Sequence, residues 1–140
     1  MNKDIKVSVI GLGYVGLPLA VEFSKVFETV GFDVNDDKIA CLKRGVDYTG
    51  EVQSSVASST VCFTNDPALI DDSDFIIIAV PTPVDSKNDP VLTMLEDASR
   101  LAGRHLKKGA CVIFESTVYP GVTEDVCVPL LEKESDLIGG

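Results

Sequence analysis

The chain is poor in positive charge, in histidine and in long apolar runs. It has 12 lysines and arginines against 22 aspartates and glutamates, a net charge of −10, and one histidine. Nucleic acids and anionic membrane surfaces are bound through a basic footprint, which this composition excludes. No apolar run approaches the ~20 residues that cross a bilayer, and no signal-peptide cleavage site follows the N-terminal residues. We therefore expect a soluble, cytoplasmic protein that binds neither nucleic acid nor a membrane.

The four cysteines form no C-x-x-C pair and have no metal-ligand spacing, so the sequence predicts no metal site. Cys62 and Cys111 fall within apolar runs, where cysteine acts as a small hydrophobic residue. We predict that these two, together with Cys41 and Cys127, are inert buried thiols, since none has a basic neighbour that would favour the reactive thiolate. The lone histidine, His105, lies in a basic stretch at a predicted helix end, where positive charge complements the helix dipole.

What is present is the pattern of one α/β domain. The chain is 45% hydrophobic over 140 residues, enough for a single core, and strand-like segments alternate with helix-like ones. Predicted strands lie near 5–10, 29–33, 61–64, 75–80 and 110–115. Predicted helices lie near 14–27, 36–44, 91–104 and 123–133, with a short one from Pro67. We expect an α/β fold over residues 1–140: a Rossmann-type, doubly wound parallel sheet of about five strands with helices on both faces.

Local signals refine several of these elements. Asn35 or Asp36 is expected to cap the second helix, and Gly45 to end it. Pro129 predicts a kink in the last helix, because proline removes a backbone hydrogen bond there. The segment 45–60 is rich in serine, threonine and glycine and is expected to be partly irregular, with no function assigned to it.

The most informative segment is a glycine turn between the first strand and the first helix. Gly11, Gly13 and Gly16 form a G-x-G-x-x-G pattern that follows an apolar strand and opens a helix. Gly11 permits backbone angles that a side chain forbids, Gly13 lets the main chain approach a diphosphate, and Gly16 lets the helix lie tightly on the strand. The unpaired N–H groups of the helix start would then hold the diphosphate without a lysine.

An acidic residue completes this pattern about 20 residues later. Asp33 ends the second apolar run, where its carboxylate would accept hydrogen bonds from the adenosine ribose hydroxyls. A carboxylate repels a 2′-phosphate, and Asp36 and Asp37 follow with no arginine beside them. The sequence therefore favours NAD over NADP as cofactor. The alternative is a strand, turn and helix whose glycines serve packing alone.

Two further loops follow predicted strands directly. Thr82 stands between Pro81 and Pro83 after the fourth strand, and Thr117 lies in the loop 116–121 after the fifth. Ligands of open parallel sheets bind outside the carboxyl ends of the strands, where both loops lie. The two prolines are expected to fix a rigid turn that presents Thr82, and Thr117 is expected to supply a hydroxyl beside the nicotinamide end of the crevice. The alternative for each loop is purely structural: the prolines shape a turn, and the threonine caps nearby backbone.

Taken together, these segments resemble the N-terminal domain of the UDP-glucose/GDP-mannose dehydrogenase family, NAD-dependent enzymes that oxidise C6 of a nucleotide sugar. The resemblance rests on residues 9–20, on 31–35 with Lys38, on 79–83 with its Pro-Thr-Pro loop, and on 115–124 with its Glu-Ser-Thr-Val-Tyr-Pro-Gly loop. The 11–20 run and the 115–121 loop are most similar to the branch that acts on UDP-N-acetylhexosamines for bacterial surface polysaccharides.

The resemblance implies roles for individual residues. The diphosphate would be held by the glycine turn through Gly11, Gly13, Tyr14, Val15 and Gly16. The adenosine ribose would be held by Asp33, with Asn35 and Lys38 nearby. Thr82 and Thr117 would contact the cofactor, and Thr117 would also lie next to the reacting carbon, which makes it the catalytic candidate of this chain.

The family also implies chemistry that this chain does not carry. Its members take an alcohol to an acid in two hydride transfers, through a thioester on a cysteine, with groups that lie far downstream of this domain. We expect a fragment of a longer, homo-oligomeric enzyme that binds NAD weakly and by itself oxidises nothing. Two rivals stay open: the cofactor domain of a β-hydroxyacid or 6-phosphogluconate-type dehydrogenase, whose loop after the fifth strand is richer in serine and glycine, and a nucleotide-sensing regulatory domain, which would complete its sheet within the chain.

Overall fold

The computed structural model describes residues 2–50, 53–115 and 121–139. The strands are β1 (Asn2–Ile10), β2 (Phe27–Phe32), β3 (Cys62–Thr64), β4 (Phe75–Ile78) and β5 (Cys111–Phe114). The helices are α1 (Gly16–Ser24), α2 (Asp36–Lys43), α3 (Gln53–Val56), α4 (Thr93–Arg104) and α5 (Val128–Ser135). A 3₁₀ helix spans Pro67–Ile70, and a π-helical segment, Thr123–Cys127, leads directly into α5.

The strands form one parallel sheet in the order β3-β2-β1-β4-β5. Central strand β1 sets the register on both sides, with Val9 opposite Gly31 of β2 and Ile77 of β4. The chain moves outward from β1 to β3 and then returns to build β4 and β5 on the other side. The sheet therefore has its topological switch point between β1 and β4, where a crevice opens beyond the carboxyl ends of the strands. The predicted α/β doubly wound fold is confirmed.

Side-chain alternation along the strands supplies one core on each face of the sheet. Val7 and Val9 of β1 face a cluster that includes α1 and α2, whereas Ile10 faces a second cluster built with α4 and α5. Ser8, which lies between Val7 and Val9 in the chain, is buried, and its hydroxyl forms a 2.6 Å hydrogen bond with that of Ser73. Both faces of the sheet are covered, as parallel sheets require.

Most local predictions are confirmed, with shifted ends. Asn35 caps α2, its side-chain oxygen accepting a 3.0 Å hydrogen bond from the N–H of Lys38, and Gly45 follows the helix with a φ of +78°. The first helix is shorter than predicted and β4 ends before residue 80. Pro67 opens a 3₁₀ turn, so the crossover from β3 to β4 carries only four helical residues. The segment 45–60 is irregular apart from the short α3.

At Pro129, where a kink is predicted, the structure has a π-helical segment that runs directly into α5. Pro129 lies in the first turn of α5, directly after this segment, where a missing N–H costs little. The backbone stays helical across the junction, at Cys127 and Val128, so the helix continues from the wider π turn into α5.

Two expectations about the cysteines are wrong. Cys62 and Cys111 are exposed, because each is the first residue of an edge strand rather than a position inside the sheet. Cys41, which is half-buried, does have a basic neighbour, since Arg44 donates a hydrogen bond to its sulfur at 3.4 Å. Cys127 is buried as predicted, and burial raises the pKa of its thiol.

His105 caps the C-terminal end of α4, and its Nδ1 lies 2.6 Å from a carboxylate oxygen of Asp71.

Candidate functional site

A cleft of about 840 Å³ opens at the carboxyl ends of β1, β2 and β4. It lies at the switch point of the sheet, where open α/β folds bind ligands. The cleft is lined by Ile10, Gly11, Leu12, Gly13, Tyr14, Val15, Phe32, Asp33, Val34, Lys38, Tyr48, Thr49, Ala79, Val80, Pro81, Thr82, Met94, Asp97, Ala98, Arg100, Leu101, Arg104 and Glu115.

Two glycines make the turn from β1 into α1 possible. Gly11 has a φ of +96°, a conformation that side chains disfavour, and an added Cβ would lie 3.0 Å from the backbone of Ala79 and Val80. At Gly16, an added Cβ would lie 1.7 Å from the carbonyl oxygen of Gly11. The helix can therefore start directly against the turn only because residue 16 has no side chain. Both geometries agree with the roles predicted from the spacing.

Gly13 differs from these two, because a Cβ placed there would meet no protein atom within 4 Å. Its φ lies outside the left-handed region, so the fold itself does not require glycine at this position. Gly13 lines the cleft, and the space that a side chain would take is left open for a ligand that approaches the main chain.

The start of α1 is open to such a ligand. No side chain caps the helix at Val15, and its first turn contains no acidic residue. Tyr14 and Val15 are both exposed, at 71% and 51%. The partial positive charge of a helix N-terminus and its unpaired N–H groups suit an anionic group at this point of the cleft.

Asp33 has a structural task that sequence reasoning missed. The residue is 9% exposed, and each carboxylate oxygen accepts a 3.0 Å hydrogen bond from a backbone N–H, Oδ2 from Leu12 and Oδ1 from Asn35. It thereby ties the glycine turn to the loop that caps α2. Each carboxylate oxygen has a second lone pair, so the group retains the capacity to accept hydroxyl protons from a ligand.

Tyr48 is the second residue that sequence reasoning missed. Its hydroxyl donates a hydrogen bond to the carbonyl oxygen of Leu12, and the ammonium of Lys38 lies 5.4 Å from the centre of its ring. The hydroxyl is protonated at neutral pH, as tyrosine ordinarily is. Burial, followed by the nearby charges of Asp33 and Asp47, raises the pKa of Tyr48 further. The sequence contains one feature that could have pointed to Tyr48: it is the one aromatic residue of segment 45–60.

The loop after β4 brings Thr82 to the cleft, where it is half-buried between two exposed prolines. The loop then doubles back, with an antiparallel bridge between Val84 and Pro90. Thr117, the threonine predicted in the loop after the fifth strand, lies outside the described residues.

The structure thus brings together seven of the predicted residues along one cleft: Gly11, Gly13, Tyr14, Val15, Asp33, Lys38 and Thr82. Gly16 lies buried beneath the turn, and Asn35 serves as the cap of α2 and does not line the cleft. Besides Tyr48, the cleft residues that sequence reasoning did not predict include one face of α4, with Met94, Leu101 and Arg104 among them.

Comparison with known proteins decides the family. Residues 5–139 match the model of the UDP-glucose/GDP-mannose dehydrogenase family, NAD binding domain. The chain belongs to this family. Its expected resemblance is confirmed, and the cofactor of the family domain is NAD.

Individual relatives of this NAD-binding domain agree. The chain is 52% identical over 137 residues to a UDP-N-acetyl-D-glucosamine 6-dehydrogenase of Pseudomonas aeruginosa, covering 96% of this chain and 32% of that protein. A solved UDP-D-ManNAc dehydrogenase from Pyrococcus horikoshii has a TM-score of 0.89 and 33% identity, over 97% of this chain and 34% of that one. A ternary complex of a GDP-mannose dehydrogenase from Pseudomonas aeruginosa has a TM-score of 0.88 and 29% identity, over 94% and 33%. The chain spans about a third of the length of the curated relatives it matches.

The residues of this family domain fit NAD. The open position beside Gly13 leaves room for a diphosphate against the main chain, and the volume of the cleft falls within the roughly 300–1,000 Å³ of small-molecule sites. Within the described ranges, no group of three or more histidine, cysteine, aspartate or glutamate side chains is arranged to hold a metal ion. No helix of the described part is long and apolar enough to cross a bilayer.

Proposed function

We propose that this chain is the NAD-binding domain of a nucleotide-sugar 6-dehydrogenase that oxidises the C6 alcohol of a UDP-N-acetylhexosamine to the uronic acid with two NAD. The observation that carries the cofactor part is the open position at Gly13 beside the uncapped start of α1. The substrate class is supported by the relative from Pseudomonas aeruginosa, whose name specifies UDP-N-acetyl-D-glucosamine. The present chain matches about a third of that relative's length, which supports residues 1–140 as one domain of a longer enzyme.

The glycine turn is proposed to bind the diphosphate of NAD through its main chain. The N–H groups of Gly13, Tyr14 and Val15 stand where the helix dipole favours negative charge. Gly11 and Gly16 give the turn its shape and bring α1 against it. This arrangement binds an anion in a chain whose net charge is −10.

Asp33 is proposed to hold the adenosine ribose, with Lys38 beside it. Its carboxylate is already oriented by two backbone N–H groups, which leaves the outer lone pairs for the ribose hydroxyls. A 2′-phosphate would place a second anion against this carboxylate, which supports NAD rather than NADP.

Thr82 and Thr117 are proposed to orient the nicotinamide end. Thr82 lines the cleft after β4, whereas the proposal for Thr117 rests on the sequence resemblance alone. NAD, when bound, supplies the acceptor for a hydride from the sugar carbon. The residues of this domain bind and orient it, and Thr117 is the one proposed to lie next to the reacting carbon. A homo-oligomeric enzyme located in the cytoplasm completes the proposal.

Calorimetric titration of the 140-residue chain tests the cofactor part. We expect saturable heat with NAD and with NADH, and binding weaker by at least about tenfold for NADP, because of the like charges at Asp33. No heat with millimolar NAD would refute NAD binding by this chain.

Absorbance of the reduced cofactor tests the catalytic part. With UDP-N-acetylglucosamine and NAD, the 140-residue chain is expected to give no steady turnover. An enzyme that contains this domain is expected to produce NADH and the uronic acid in a ratio of two to one. Steady turnover by the 140 residues alone, or a ratio of one to one from the enzyme, would contradict the proposal.

A further inference from the structure

The peptide groups on both sides of Leu12 are fixed by side chains from other parts of the chain. Leu12 lies between Gly11 and Gly13 and is fully buried. Its N–H donates to Oδ2 of Asp33 at 3.0 Å, and its carbonyl oxygen accepts from the hydroxyl of Tyr48. The first bond comes from the end of β2 and the second from the segment that follows α2.

The bond to Tyr48 determines where Gly13 points its N–H. The carbonyl of Leu12 and the N–H of Gly13 belong to one planar trans peptide, so they point in opposite directions. A hydroxyl that holds the carbonyl therefore also fixes the direction of that N–H. Gly13 has neither a side chain nor a protein neighbour at its Cβ position that would otherwise restrain it.

Tyr48 itself is positioned by the same group of residues. The ammonium of Lys38 lies 5.4 Å from its ring centre, the N–H of Lys38 donates to Oδ1 of Asn35, and the N–H of Asn35 donates to Oδ1 of Asp33. Asp33 returns to Leu12. These five residues form a closed circuit of contacts that joins the glycine turn, the cap of α2 and the loop after it.

We propose that Tyr48 is a positioning residue for NAD: its hydroxyl sets the Leu12–Gly13 peptide in the orientation that presents the Gly13 N–H to the diphosphate. This inference rests on the proposed function, because it assumes that the diphosphate binds at the glycine turn. A donor that is already oriented before binding avoids the entropy cost of ordering it in the complex. Tyr48 touches the turn rather than the reacting atoms, so it acts through Gly13.

Tyr48→Phe tests this directly, because it removes the hydroxyl and keeps the ring beneath Lys38. Tyr48 is 37% exposed, so the loss of one hydrogen bond leaves the fold intact, as circular dichroism would verify. We expect the Kd for NAD to rise about tenfold, since the buried carbonyl of Leu12 loses its partner and the peptide can rotate. The Kd for adenosine, which lacks the diphosphate, is expected to stay within about twofold.

Thr60→Val is the matched control. Thr60 also uses a side-chain hydroxyl to hold a backbone carbonyl 36 residues away, donating to Ser24 at 3.0 Å, and the Tyr48 bond spans the same 36 residues. Thr60 does not line the cleft. Thr60→Val is therefore expected to lower the melting temperature, as Tyr48→Phe does, while its Kd for NAD remains that of the wild type.

Each result decides one point. An unchanged Kd for NAD in Tyr48→Phe would overturn the inference, and so would an equal loss of NAD and adenosine affinity, which would mean that Tyr48 contacts the nucleoside instead. ¹⁵N relaxation-dispersion NMR of the wild type tests the inference without a variant. Conformational exchange at the Leu12 and Gly13 amides before NAD is added would also overturn the inference. A wild-type chain that binds adenosine but not NAD would refute the proposed function itself.

Discussion

Three glycines of one short turn differ in what a methyl group would meet. At Gly16 the methyl carbon would overlap the backbone oxygen of Gly11, at 1.7 Å, and at Gly11 it would press on the backbone of Ala79 at 3.0 Å. At Gly13 it would enter empty space that belongs to the cleft. Gly11 and Gly16 therefore serve the fold, whereas Gly13 is free of that constraint and is the glycine that we propose to serve the ligand.

Alanine at positions 13 and 16 separates these two roles. Gly13→Ala is expected to change the free energy of unfolding by less than about 0.5 kcal/mol and to weaken NAD binding at least about tenfold. Gly16→Ala is expected to destabilise the fold by roughly 3 kcal/mol or more, because backbone has to move. Urea unfolding and calorimetry measure the two quantities. Gly139→Ala, whose methyl group meets nothing closer than 3.4 Å, is the control that changes neither. Equal effects of the first two variants on unfolding would contradict this division.

At the scale of elements, one carboxylate ties the middle of β1 to the starts of β4 and β5, at the end of the β4–β5 edge opposite the cleft. The side chain of Asp74, just before β4, accepts from the N–H of Lys6 in β1 and from the ammonium of Lys107 before β5, each at 2.8 Å. Its own carbonyl accepts from the N–H of Cys111 at 2.9 Å. The hydrogen bond from the Lys107 side chain, followed by the one from the Lys6 N–H, holds the pKa of Asp74 below its usual value.

This lowered pKa gives stability a defined pH dependence. Because the folded pKa of Asp74 lies below the unfolded one, its contribution is complete above the unfolded value, near pH 4, and is lost as the pH falls through the folded pKa. Asp74→Asn is therefore expected to melt a few degrees lower than the wild type at pH 7, and the difference is expected to shrink below about pH 4. Thermal melts over this range measure it. Glu28→Gln, which also removes one carboxylate charge but at an exposed position on β2, is the control. A melting-temperature difference between Asp74→Asn and the wild type that stayed constant down to pH 2 would contradict the linkage.

Prediction from sequence succeeded where the determinant is local. Strand β1 and the glycine spacing are read within a few residues, and so is the cap of α2 by Asn35, since its hydrogen bond spans three residues. Tyr48 could not be found in this way, because its partner Leu12 is 36 residues away and the segment 45–60 that carries Tyr48 has no periodicity. Burial of Cys62 was predicted wrongly for a related reason. An apolar run identifies a strand, but only the sheet order shows which strands lie at the edge.

For the molecule as a whole, the unusual combination is an acidic protein with a proposed site for an anion. A chain of net charge −10 repels NAD at long range, while the proposed diphosphate contacts are backbone N–H groups whose attraction is short-range. Raising the ionic strength from about 10 to about 150 mM screens the repulsion more than the contact, so the affinity for NAD is expected to stay constant or to increase. Calorimetry across this series measures it. A steep loss of affinity with salt would indicate binding through lysine or arginine side chains instead.

The double hydrogen bonding of Asp33 has a consequence for anyone who wishes to change the coenzyme preference of this domain. Swapping the acidic residue for a neutral or basic one is the obvious route to accepting NADP, yet here the same carboxylate supports Leu12 and Asn35. Its removal would loosen the very turn that the new coenzyme must also use. Redesign would have to begin by supplying a substitute acceptor for those two amides, and only then add a cationic group for the extra phosphate.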